Sequence, residues 1–148
     1  MEFTPDGVLA VTHAGLGKTL LFFLEVDMAT ETLASPRRSE QDVRQKIINY
    51  QTYFHLQRYK HYESFWDCQL RGFRLLFLVH GQRRMVALCG LARRMPPSDF
   101  IWLTDRQSLL TQGVWGPIWV QGGQADRQRQ SILGSKMPQP SPDPSAVP

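Results

Sequence analysis

Two predominantly apolar runs constrain this chain most: Leu20-Leu21-Phe22-Phe23-Leu24, continuing through Glu25 to Val26, and Leu75-Leu76-Phe77-Leu78-Val79 after Arg74. Successive side chains of a strand point to opposite faces, so a strand with one wet face alternates apolar and polar residues. Neither run alternates. Each predicts a strand buried on both faces, and therefore a sheet covered on both sides. Just upstream, Val8-Leu9-Ala10-Val11 is a third apolar run, separated from Leu20 by a loop containing Gly15 and Gly17. Two runs this close predict an antiparallel hairpin.

Helical patterning fills the intervals. A loop is expected from Met28 to Arg38, and Ser39-Glu40-Gln41-Asp42 then has acidic residues suited to a first helical turn. A helix is predicted from about Glu40 to about Tyr59, with Val43, Ile47, Tyr50 and Phe54 on one stripe and Ile48 and Gln51 beside it. A second helix is predicted over Gln82 to Arg94, its stripe formed by Met85, Leu88, Cys89 and Ala92 and its stop by Pro96-Pro97. Phe100 to Leu103 reads as a short strand, Asp105 as the N-cap of a helical turn through Leu110, and Pro117 to Val120 as a final edge-like strand. The fold class expected is α/β: a mixed sheet opening with a β-hairpin and flanked by helices, in one domain over residues 1–121. Residues 122–148 are rich in Gln, Pro and Ser, with little apolar content to offset ordering entropy, and are expected to form a disordered tail.

Composition narrows the function classes. With 42% apolar and 20% charged residues the chain is of ordinary globular make-up, and no uncharged apolar run is long enough to span a bilayer. Acidic residues and a proline stand where a secretory signal would be basic and then apolar, which points to a cytoplasmic location. Cys68 and Cys89 do not form a CxxC pair, and His13, His55, His61 and His80 lack metal-ligand spacing, so no zinc site or disulfide framework is suggested. The net charge of +4 and pI of about 9.4 favour polyanionic partners. From Arg37 to Arg94 there are 12 Lys or Arg against 4 acids (Glu40, Asp42, Glu63 and Asp67), a basic stretch that can face phosphates or simply solvate helix faces.

Gly15-Leu16-Gly17-Lys18-Thr19 looks like the end of a phosphate-binding loop but fails on context. Thr12 stands where the first glycine is needed, and an apolar strand follows where a helix N-terminus should point its amides at phosphate. A hairpin turn is the better reading. The more informative group is acidic. Asp6 starts one strand of the hairpin, and Glu25 and Asp27 end the other, so antiparallel pairing brings these ends together. Glu25 and Asp27 are two apart and share a face. Such acids can hold Mg²⁺, which activates water and stabilises charge on a scissile phosphate. The plainer alternative is a turn cap at Asp6 and ordinary ion pairs at Glu25 and Asp27.

Pro5-Asp6-Gly7, then Phe22-Phe23-Leu24-Glu25-Val26-Asp27, then Thr30-Glu31, then Lys46 and Tyr50 on the next helix, resemble the order of elements in the replication-relaxation family. The strand at Arg74 followed by a basic helix, the strand at Phe100 and the terminal Pro117-Ile118-Trp119 also fit, so the resemblance covers roughly residues 5–121. It implies a core like that of PD-(D/E)xK restriction endonucleases and a role in bacterial plasmid replication or DNA relaxation. It also implies an upstream winged-helix region that this chain is expected to lack. On that resemblance Asp6 matches the PD acid and Glu25 the (D/E) acid. Asp27 takes the place of the lysine that positions attacking water and offsets developing charge.

Lys46 is the candidate substitute from the helix, with Tyr50 one turn further on to flank it; alternatively Lys46 is a solvated lysine and Tyr50 a core aromatic. The resulting expectations are Asp6, Glu25 and Lys46 as catalytic residues, and Asp6, Glu25 and Asp27 as metal ligands. Arg44, Tyr50, Arg58 and Lys60 are the expected nucleic-acid contacts, the last two in a segment where aromatic and basic residues alternate. DNA and replication or relaxosome proteins are the expected partners. A non-catalytic relative binding DNA or protein, and a pure protein-interaction module, are the competing readings.

Overall fold

The computed structural model describes residues 4–27 and 36–134, with side chains in the first long helix described from Asp42 onward. The loop expected from Met28 and the Thr30-Glu31 pair fall largely or wholly outside the described residues. Strand β1 (Gly7–His13) and strand β2 (Lys18–Asp27) form the antiparallel hairpin, joined through a 3-10 turn over Ala14–Leu16. Gly17 closes that turn in the left-handed region at φ 57°, and His13 Nδ1 accepts from Leu16 N–H at 3.1 Å. Lys18 and Thr19 therefore begin a strand, and the phosphate-loop lookalike is a hairpin turn.

Helix α1 (Pro36–His55) then crosses to β3 (Arg74–Val79), which lies parallel to β2. Helix α3 (Gln82–Arg93), which follows a short helix α2 (His61–Trp66), crosses to β4 (Ile101–Asp105), parallel to β3. Helix α4 (Arg106–Gln112) leads to a two-residue strand β5 (Val120–Gln121), antiparallel to β4, and the sheet order is β1-β2-β3-β4-β5. The result is a mixed five-stranded α/β sheet. Among the described residues no helix is long and apolar enough to cross a membrane.

Helix α1 begins at Pro36, whose missing N–H costs nothing in a first turn. Its stripe is buried as predicted at Val43, Ile47 and Tyr50, with Phe54 partly buried, whereas Ile48 is 40% exposed. It stops at His55 rather than near Tyr59. Gln57 adopts a left-handed backbone at φ 55°, and a 3-10 turn over Arg58–Lys60 follows. Helix α3 matches its prediction to within one residue, with Met85, Leu88, Cys89 and Ala92 all buried.

One sheet face packs Leu21, Phe23, Leu75, Phe77, Ile101 and Leu103 with the α1 and α3 stripes. The opposite face, carrying Phe22, Leu76 and Trp102, is covered by Ile118, Trp119, Ile132 and Leu133. The tail expected from residue 122 onward is thus part of the fold as far as residue 134, while 135–148 lie outside the described residues. Trp119 and Gln130 exchange backbone hydrogen bonds of 3.0 and 2.9 Å, and Arg74 donates to the Ile132 carbonyl. At Gly123, φ 75°, a Cβ would collide with the Cys89 carbonyl, so only glycine lets this segment approach α3.

Asp105 caps α4 as predicted, accepting from Ser108 N–H at 2.8 Å and from Ser108 Oγ at 2.9 Å. Arg129, on the returning segment, donates to the same carboxylate at 2.9 Å. Burial works to raise the pKa of Asp105, but the hydrogen bonds from Ser108 and Arg129 outweigh it and hold the pKa below the usual carboxylate range. A depressed folded value means that this stabilisation is present above the ordinary Asp range, near pH 3.9, and is lost as pH falls through the folded value. Asp105→Ala is expected to cost about 1–2 kcal/mol at pH 7. Thermal melts of both proteins should converge as the pH is taken toward 2; a gap that stays constant with pH would remove the carboxylate from this account.

Candidate functional site

The parallel strands deliver their carboxyl ends to one edge of the sheet, the edge at which open α/β sheets bind ligands. Glu25 and Asp27 end β2 there, and the register pairs them with Phe77 and Val79 of β3. Because Gly7 pairs with Leu24, the residue before it, Asp6, arrives at the same edge. Asp6 is exposed and its Oδ2 accepts the Val26 N–H at 2.8 Å, one residue beyond Glu25. Asp6 thus reaches the same edge as Glu25, its carboxylate held on the β2 backbone.

Glu25 points to the α1 face and is only 3% exposed. Burying a carboxylate is costly unless both oxygens find partners. Lys46 Nζ lies 2.9 Å from Oε2, and the Tyr50 hydroxyl donates to Oε1 at 2.7 Å. Lys46 and Tyr50 are four residues apart, on one face of α1, which lies against β2 through Ile47 and Tyr50. The lysine side chain is 47% exposed, so its ammonium links the buried acid to solvent. Tyr50 is 1% exposed. Burial, then the hydrogen bond to Glu25, pushes its hydroxyl far above the usual phenol range, so it remains a fixed donor. That burial corrects the expectation of Tyr50 as a nucleic-acid contact: its ring is packed against Phe23 and Phe73 and presents no face to a ligand.

Asp27 is paired with an arginine of α3. Arg84, in the first turn of α3, donates Nε to Asp27 Oδ2 at 2.6 Å and approaches Oδ1 through Nη2 at 3.5 Å. The pair is largely buried, at 16% and 10% side-chain exposure. The expected three-acid metal set is not assembled: among the described residues no group of three or more His, Cys, Asp or Glu side chains is arranged to hold a metal ion. Mg²⁺ is commonly held by one or two carboxylates with several waters. At Glu25 both oxygens are taken, by Tyr50 and Lys46, so an ion bound there would displace Lys46 from Oε2.

Arg84 was not singled out from the sequence. Its signal was present, because a strand parallel to β2 must release its following helix beside the end of β2, and that helix opens Gln82-Arg83-Arg84. Of the remaining expected contacts, Arg44 is exposed on α1, while Arg58 and Lys60 are exposed beyond the far end of that helix, away from the acids. The fold therefore brings Lys46 and Tyr50 onto Glu25, leaves Asp6 at the same sheet edge on the Val26 N–H, sets Asp27 with Arg84, and separates Arg58 and Lys60 from these groups. No family model, curated protein or solved structure matches the chain.

Proposed function

We propose that this chain is a DNA-processing protein of bacterial plasmid replication or DNA relaxation, acting in the cytoplasm through a nuclease-like core of the PD-(D/E)xK kind. One observation carries the reading: the Lys46 ammonium, 2.9 Å from Glu25, returns to the acid pair the cation that the strand lacks at Asp27. Asp6 and Glu25 are the residues that would hold Mg²⁺, which supplies an activated water and offsets charge on the scissile phosphate when bound. Tyr50 keeps Glu25 in a single orientation through its hydrogen bond. Lys46, half in solvent, is placed to meet a phosphate oxygen and balance charge as the phosphodiester is attacked.

The test is nicking of supercoiled plasmid in Mg²⁺ or Mn²⁺. Wild-type protein should convert plasmid to open circles, and Asp6→Asn, Glu25→Gln and Lys46→Met should each slow this by about 10²–10³-fold, the size of effect typical of a lost charge-stabilising group. Equal rates for wild type and Glu25→Gln would remove the catalytic role.

A second reading has its own support, because Glu25 and Asp27 are already neutralised by Lys46 and Arg84. On it the same fold binds DNA or a replication or relaxosome partner without cleaving, and the acids are structural. Salt-sensitive DNA binding with no nicking in either metal would favour it.

A further inference from the structure

A wide groove lies at the other end of the sheet, where the parallel strands begin. It has a volume of about 1110 Å³ and is walled by Lys18 and Lys60, by Arg71 and by the aromatic side chains of Phe54, Phe100 and Trp102. Leu21, on its wall, is four residues from Glu25 along β2, which at ~3.3 Å per residue puts the groove roughly 13 Å from the acid pair. It is a separate site.

Its chemistry is that of a polyanion bearing flat rings. Four cationic side chains line it, Arg74 being the fourth, against two carboxylates, Glu63 and Asp99. Glu63 is already committed, since its Oε2 accepts the Leu70 N–H at 2.8 Å. The cations come from the start of β2, the 3-10 turn after α1 and the segment entering β3, so the fold gathers what the sequence scatters. Phe54 and Phe100 are only partly buried, leaving ring surface at the wall.

Trp102 forms part of the wall. It is 3% exposed, it lines the groove, and its indole N–H has no hydrogen-bond partner among the described residues. The Arg74 guanidinium sits 5.0 Å over the same indole, so cation and aromatic are already stacked at this wall.

We propose that this groove binds single-stranded DNA, with Lys18, Lys60 and Arg71 on backbone phosphates and Phe54 and Phe100 against bases. A volume above that of most small-ligand pockets suits a short run of nucleotides, and stacking on aromatic side chains between cations is how unpaired strands are held without sequence reading. The assignment stands apart from the nuclease reading, since none of these residues belongs to the acid edge.

The experiment uses the full chain and fluorescein-labelled dodecathymidylate in 50 mM salt, followed by fluorescence anisotropy. Lys60→Glu with Arg71→Glu, two exposed positions, should weaken binding at least tenfold with an unchanged circular-dichroism spectrum. The slope of log affinity against log salt should fall by about 1.4, or 0.7 for each lost phosphate contact. Asp6→Asn should bind the oligonucleotide as wild type does, whether or not it nicks plasmid, which separates this site from the acid edge. The proposal is overturned if wild type does not bind, if the double charge reversal binds equally well, or if a duplex of the same length competes equally.

Discussion

Glu25→Ala should destabilise the protein by about 2–4 kcal/mol, whereas Glu25→Gln should cost about 1 kcal/mol or less. The difference arises from what each change leaves behind. Alanine strands the Tyr50 hydroxyl, which is buried and donates to Glu25 at 2.7 Å, and an unmatched buried donor costs about 1–3 kcal/mol. It also opens a void beneath α1. The Lys46 ammonium contributes little to the penalty, because a side chain 47% exposed can turn to water when its partner goes. Glutamine keeps a carbonyl oxygen for the tyrosine and loses only the charge. Differential scanning calorimetry at pH 7 should therefore show a fall in Tm of roughly 10 °C for the alanine variant and a small one for glutamine. Equal melting of the two variants would mean that the Tyr50 contact carries no energy.

The two chain segments that were easiest to read explain why the site was partly legible. Leu20 to Val26 and Arg74 to Val79 carry no alternation, so their burial on both faces, and hence the covered sheet, followed from local composition. Helix α1 was equally plain from its stripe. Once β2 and α1 are adjacent, the i, i+4 spacing of Lys46 and Tyr50 brings both to the same strand. Glu25 is the acid on that face.

Other features depended on partners distant in sequence. Arg84 meets Asp27 only because β3 pairs in parallel with β2, and strand order is not encoded in either strand alone. Helix α1 ends at His55, short of the predicted Tyr59, because the aromatic stripe continues to a buried Tyr59 through a left-handed Gln57, with no glycine or proline to announce the break. Ile132 and Leu133 are two apolar residues in a polar stretch, too few to predict a core contribution by themselves. Their burial depends on the Trp119–Gln130 bridge, the Arg74 bond to the Ile132 carbonyl and the close passage of Gly123 past Cys89.

Phe73→Ala should be the more damaging change, costing about 3–5 kcal/mol, the range for deleting a buried phenyl ring. Phe73 is 5% exposed and sits at the centre of an aromatic cluster. Phe23 of β2 is 4.8 Å from its ring centre, edge-on, and Phe54 of α1 is 5.2 Å away. Phe100 and Tyr59 follow at 5.6 and 5.7 Å, with Tyr53 at 5.8 Å and Tyr50 at 6.0 Å. These rings come from β2, α1, the turn after α1 and the approach to β4, so one side chain ties four segments together. Each well-oriented aromatic pair adds about 0.5–1.5 kcal/mol beyond buried area, and alanine removes six at once. Phe73→Leu keeps most of the volume and should cost about 1–2 kcal/mol. The consequence reaches the acid edge through Tyr50, which touches Phe73 on one side and holds Glu25 on the other. Urea denaturation should give a midpoint loss for alanine at least twice that for leucine, with weakened near-ultraviolet dichroism from the released rings. A Phe73→Ala protein that unfolds at the wild-type urea concentration would show that the cluster holds without its central ring.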